Sequence, residues 1–341
     1  MVPSRMSSAS LATFPDVMVR DFQDGLEVDQ VLLVRGAEAR SKRDGGEYLR
    51  LTLADRTGSV VAMVWDDVER MRVLCAAGAP LHVRGRYRLH PRYGPQIDLI
   101  GVREPEAGTF DPSALFDGPP QPAERMESDL RELISTIQEA HLRTLLERVL
   151  GTGTRTWELY RRAPAAKHYH QAYEHGLLEH CLSVAQGVSA ISATFPGIDR
   201  DVAVTGALLH DIGKLEAYTT DPAAIDLTNA GRLQGEIPLG YYRIRREIED
   251  IDGFPPRLAE ALLHIILSHH GQLEHGSPVV PCTRDATLVH FLDNLGGRLG
   301  SFDRLQKELP VGASWSGFDR ALGTSAFFGP LDEARSQLEA A

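Results

Sequence analysis

His210-Asp211-Ile212-Gly213-Lys214 sets an imidazole and a carboxylate side by side, and it closes the apolar stretch Ala-Val-Thr-Gly-Ala-Leu-Leu at 203–209. A run of that kind reads as a buried helix, so two ligand-type side chains are expected at one helix end. Upstream lies Gly176-Leu177-Leu178-Glu179-His180. Downstream come His269-His270-Gly271, and then Asp293 inside the apolar segment 288–295. Four helix-like segments thus present His, His-Asp, His-His and Asp in order. Imidazole nitrogens mixed with a few carboxylate oxygens suit a borderline divalent metal such as Mn, Fe, Co, Ni or Zn.

Further from this run the pattern changes. From residue 26 to 102 short alternating runs are punctuated by turns, as in the half-buried strands of a small barrel or sandwich. Leu49, Leu51 and Leu53 alternate with Tyr48, Arg50 and Thr52, and Asp55-Arg56-Thr57-Gly58 turns the chain into residues 59–65. Val83, Gly85, Tyr87 and Leu89 alternate with Arg84, Arg86 and Arg88 before a second turn at 91–94, which predicts one apolar and one basic face. The segment 103–125 carries Pro105, Pro112, Pro119, Pro120 and Pro122 and reads as a linker. Beyond it the period becomes helical, with Ser128 as an expected N-cap and apolar residues at three- and four-residue steps up to Gly151. The expected division is a disordered start at 1–12, a barrel domain at 13–105, a Pro-rich linker at 106–125, a helical domain at 126–300, and a tail at 301–341 whose packing is open.

The chain has 341 residues, 43% of them hydrophobic, enough for two cores. Three cysteines, far apart and never in a C-x-x-C pair, argue against a disulfide framework or a thiolate zinc knuckle. They fit a reducing cytoplasm. No apolar run approaches a membrane span. The net charge of −11 argues against nucleic acid when taken alone. It is uneven, however: residues 1–105 hold 15 Lys+Arg against 14 Asp+Glu, and the acidic excess lies beyond them.

The helical part resembles the HD superfamily of phosphohydrolases, and the whole resembles the YhaM-type 3′→5′ exoribonucleases, which couple an OB-fold to an HD domain. The resemblance rests on Lys167 with His170-Gln171-Ala172-Tyr173, on the three His-bearing segments above, on Gly276-Ser277-Pro278-Val279, and on Asp293-Asn294-Leu295. It implies a multidomain α+β protein, a five-stranded OB-fold barrel followed by an all-α HD domain. It also implies that His180, His210, Asp211 and Asp293 hold a first metal, and that Asp211 bridges to a second one supported by one or both of His269 and His270. Lys214 would lie near the phosphate, giving Asp211, Lys214 and His210 as the catalytic set. Mn is the expected ion, with Co, Fe, Ni, Zn and Mg as alternatives and one or two ions per site.

Two positions depart from the family pattern. Gly235-Glu236-Ile237 stands where a Gly-His-Ile is expected, making Glu236 a candidate ligand that favours a harder ion. Gly296-Gly297 replaces an expected Asp-Ala. On the barrel, Arg84, Arg86 and Arg88 would form a row about 6.6 Å from one to the next, suited to a phosphate backbone, with Tyr48 and Tyr93 as stacking platforms and His170 as a further RNA contact. The blander readings are that these arginines solubilise an edge strand, that His264 and His290 are hydrogen-bonded core residues, and that Cys181 is a small core residue. The reading of the whole is a cytoplasmic exoribonuclease acting on single-stranded RNA, with single-stranded DNA and a homo-oligomer left open. The rivals are a nucleotide or cyclic-nucleotide phosphohydrolase with a regulatory OB-fold, and an inactive nucleic-acid-binding protein.

Overall fold

The computed structural model describes residues 17–42, 45–90, 93–106, 108, 110–111, 114–116, 118–167, 171–219, 225–307, 309 and 313–329. His170 and the start at 1–12 lie outside them. The chain divides into two compact units between Leu115 and Phe116.

The first unit is a closed five-stranded barrel, made by β1 (Glu27–Ser41), β2 (Glu47–Ala54), β3 (Ser59–Val64), β4 (Pro80–His90) and β5 (Gly94–Arg103) in the order β1-β2-β3-β5-β4. One long strand closes it, because β1 pairs antiparallel with β2 through its second half and with β4 through its first. A bulge between Val34 and Gly36 marks where the strand changes partner. The parallel β3·β5 pairing and a short helix α1 (Val68–Leu74) between β3 and β4 complete the OB-fold topology. The two hairpins read from the alternation are present, with Leu49 opposite Val64 and His90 opposite Gly94. Leu49, Leu51, Leu53, Val83 and Tyr87 point into the core, where Tyr87 packs edge-on against Phe22. Leu89 does not: it lies beyond the barrel's rim and is half exposed. Asp55 organises the β2–β3 turn, its Oδ1 accepting from the backbone N–H of Thr57 and Gly58 while Oδ2 accepts from that of Val19.

The second unit is helical. Its first helix, α2 (Ala123–Ser135), starts right after Pro122 rather than at Ser128, since proline's fixed φ suits a helix entry. The periodic run that continues to Gly151 is two helices. The chain breaks after Ser135 and restarts at α3 (Ala140–Leu150), where the Glu139 carboxylate accepts from the Leu142 N–H. Then follow α4 (Arg155–Tyr160), α5 (Gly176–Ser192), α6 (Arg200–Leu209), α7 (Lys214–Ala217), α8 (Asn229–Gln234), α9 (Glu236–Glu249), α10 (Pro256–Ser268) and α11 (Arg284–Lys307). Helix α6 is the axis of the unit: all its residues from Val202 to Leu209 are buried, and α5, α10 and α11 pack around it. Helix α11 runs past residue 300, and a hairpin of β6 (Trp315–Asp319) and β7 (Thr324–Phe327) follows it. Among the described residues, no helix is long and apolar enough to cross a membrane.

Candidate metal centre

Two of the histidine motifs sit at the same place in their helices. His210 is the C-cap of α6 and His269 the C-cap of α10. The last turn of any helix leaves backbone carbonyls without an intrahelical partner. His210 Nδ1 lies 2.7 Å from the carbonyl of Ala207, and His269 Nδ1 lies 2.8 Å from that of Ile266, each three residues back. A carbonyl only accepts, so both Nδ1 atoms carry the proton, and in the neutral rings both Nε2 atoms are lone pairs. His270 is fixed in the same way by the carbonyl of His275 at 2.8 Å.

These lone pairs face one another and carboxylate oxygens, with His180, His210, Asp211 and His269 buried and Asp293 and His270 partly exposed at the mouth of the site. His180 Nε2, from α5, lies 3.2 Å from His210 Nε2, 3.3 Å from Asp211 Oδ2 and 3.1 Å from Asp293 Oδ1. His210 Nε2 lies 3.3 Å from Asp211 Oδ2 and 3.8 Å from Asp293 Oδ1. Donors bound at about 2.1 Å to one cation sit about 3.0 to 3.4 Å apart, so this spacing suits a shared ion. Beside it, Asp211 Oδ1 and His269 Nε2 are 3.5 Å apart, buried, and without a hydrogen-bond partner. Two facing acceptors at that depth are costly unless something cationic lies between them. Asp211, His269 and His270 form a second group with metal-ligand spacing, and Glu236 Oε1 lies 3.7 Å from His270 Nε2.

The electrostatics follow from this crowding. Burial works against a charged His180, but the carboxylates of Asp211 and Asp293 outweigh it and raise the imidazole to about 9. Burial likewise opposes the charge on Asp211, whereas Lys214 and the surrounding imidazoles hold its carboxyl well below the usual range. Lys214 Nζ donates to Asp211 Oδ2 at 2.6 Å, and the carboxylates of Asp211 and Glu236 keep it charged despite its burial.

The site opens to solvent through a pocket of about 340 Å³ lined by His269, His270, His275, His290, Asp293 and Asn294. His290 is more than the core residue that its sequence context suggests. Its ring lines this pocket and its Nδ1 lies 2.7 Å from the His269 carbonyl. The signal for it in the sequence is its place three residues before Asp293, on the same face of α11. His264 does keep to a structural contact, accepting from the Cys282 N–H, and Cys181 is a buried core residue.

The family model for the HD domain matches residues 177–297, a span that takes in His180, His210, Asp211, Glu236, His269, His270 and Asp293. The chain is also 28% identical over 295 residues to the 3′-5′ exoribonuclease YhaM of Bacillus subtilis (strain 168), an alignment covering 84% of this chain and 90% of that protein.

On the barrel, Arg84, Arg86 and Arg88 do form an exposed row along β4, but acids lie among them. Arg84 faces Asp29 at 3.5 Å, Arg88 pairs with Asp98 at 2.9 Å, and Arg86 donates to the Gly25 carbonyl. Tyr48 is half-buried and stacked on the exposed ring of Trp65, 4.7 Å away, with Lys42 above that indole. Tyr93 is exposed beside His90.

Proposed function

We propose that this protein is a metal-dependent 3′→5′ exoribonuclease that removes nucleoside monophosphates from single-stranded RNA. The observation that carries the proposal is the convergence of His180, His210, Asp211 and Asp293 within metal-ligand spacing, with the His210 ring fixed so that its Nε2 faces the others. The relative's printed activity supplies the substrate class and the polarity. His180, His210, Asp211 and Asp293 would hold one ion. The other oxygen of Asp211, with His269, His270 and Glu236, would hold a second, and the carboxylate at Glu236 favours manganese over a softer ion. When bound, such ions supply a water ionised near neutral pH and offset the charge developing on the phosphoryl oxygens.

The chain's own residues prepare the rest. Lys214 keeps Asp211 ionised and would offer its charge to an entering phosphate. The pocket lined by His275, His290 and Asn294 has room for one terminal nucleotide, and the arginine row with the Tyr48–Trp65 stack offers the barrel a surface for the strand that precedes it. The test is a time course on RNA labelled at its 5′ end, with Mn, with chelator, and with Asp211→Ala. A metal-dependent ladder of shortening 5′-labelled products, absent from the variant, is expected. Intact RNA together with turnover of mononucleotides or cyclic nucleotides would replace this reading with a small-nucleotide phosphohydrolase.

A further inference from the structure

Helix α11 has two apolar faces, and among the described residues only one is covered. Ala286, Leu288 and Val289 are buried against the helical core, and Leu292 packs there within reach of Gly187 on α5. Phe291, Leu295, Leu299 and Phe302 form a second stripe, at steps of four, four and three residues, and all are exposed, Phe291 by 63%. A helix that is apolar on more than one side is one that expects a neighbour on each. At the stripe's end the Phe302 ring lies 6.2 Å from that of Phe328 on the hairpin, and the hairpin itself exposes Trp315, Phe318 and Phe327. Seven such side chains, each about half exposed, present on the order of 700 Å² of apolar surface, judged from the 150 to 250 Å² of an aromatic residue. The total approaches the roughly 800 Å² that each partner gives to a stable interface.

We propose that this surface binds a second copy of the same chain, with the two α11 helices packed antiparallel across a two-fold axis near Gly296 and Gly297. The order Phe, Leu, Leu, Phe carries the choice of partner. It reads nearly the same in both directions about a midpoint between residues 296 and 297, so an antiparallel copy sets Phe291 against Phe302 and Leu295 against Leu299. Self-complementarity of that kind is what an isologous interface requires. Among the described residues a Cβ at Gly296 would meet nothing closer than 4.0 Å, so its surface leaves room for a close approach by the second helix. At 100° per residue the stripe lies about 120 to 180° around the helix from Asp293, so pairing leaves the pocket open. The inference does not depend on the proposed reaction.

Sedimentation of the full-length protein over a wide micromolar range, with circular dichroism as the check on folding, tests it. The wild type should sediment at twice the 37.5 kDa chain mass or a multiple of that. Leu299→Glu, and separately Phe318→Ser, should weaken association at least tenfold while leaving the spectrum unchanged. A wild type that stays monomeric would overturn the proposal and indicate that another part of the chain or a different partner covers this face. An oligomer unaffected by either variant would place the interface elsewhere and overturn it equally.

Discussion

His210 and His269 are aimed by one local device, a ring N–H given to the last turn of its own helix, and His210 Nε2 in turn faces His180. In the metal-free protein His180 is raised to about 9 from an ordinary 6.5, so its ion pairs contribute stability fully below about pH 6.5, lost as pH rises through about 9. Metal binding needs the neutral ring and expels protons, so it gains with rising pH over the same window. Thermal melts should therefore show the chelated protein losing stability between pH 6.5 and 9 while the increment from added Mn grows. Parallel curves would count against metal at this cluster. Lys214→Met should keep bound metal yet lower kcat by about 10²-fold, the usual scale for one charge aimed at a transition state, and unchanged kcat would remove Lys214 from the phosphate.

At the scale of elements, Gly213 shows how tightly the motif is built into the fold. A Cβ there would meet the Glu236 carbonyl oxygen at 1.9 Å and the Gly240 nitrogen at 2.5 Å, so α7 and α9 approach backbone to backbone. Gly213→Ala should cost about 1 to 3 kcal/mol by overpacking, which for a unit of this size lowers Tm by about 2 to 4 °C per kcal/mol. An unchanged melt would mean the helices separate freely. The same region shows what could be read in advance. The order His180, His210-Asp211, His269-His270, Asp293 was legible because metal chemistry restricts residue type, and the barrel was legible because alternation has period two. What escaped depends on long-range partners. Asp29 reaches Arg84 from β1, and Asp98 reaches Arg88 across the β4–β5 pair, so a basic row in the sequence becomes a mixed one in space.

For the whole molecule, the proposal assigns strand capture to the barrel unit and bond cleavage to the helical one, and the two should separate by mutation. Arg84, Arg86 and Arg88 changed together to Ala should weaken single-stranded RNA binding, flattening the slope of log affinity against log salt by about 0.7 for each phosphate that is no longer neutralised. Because two of the three arginines already face acids, the change should correspond to about one to two phosphates rather than three. Hydrolysis of a small phosphodiester should be untouched. A variant that binds RNA like the wild type would move the capture surface to the Tyr48–Trp65 stack.

If the buried histidines and aspartates form a metal centre, the metal content of the protein after dialysis against Mn, compared with Asp211→Asn under the same conditions, shows it most directly. One to two ions per wild-type chain and loss of most of them in the variant are expected, since Asp211 is shared by two ligand groups. A wild type that retains no divalent ion, or a variant that retains as much as the wild type, would contradict a metal centre there.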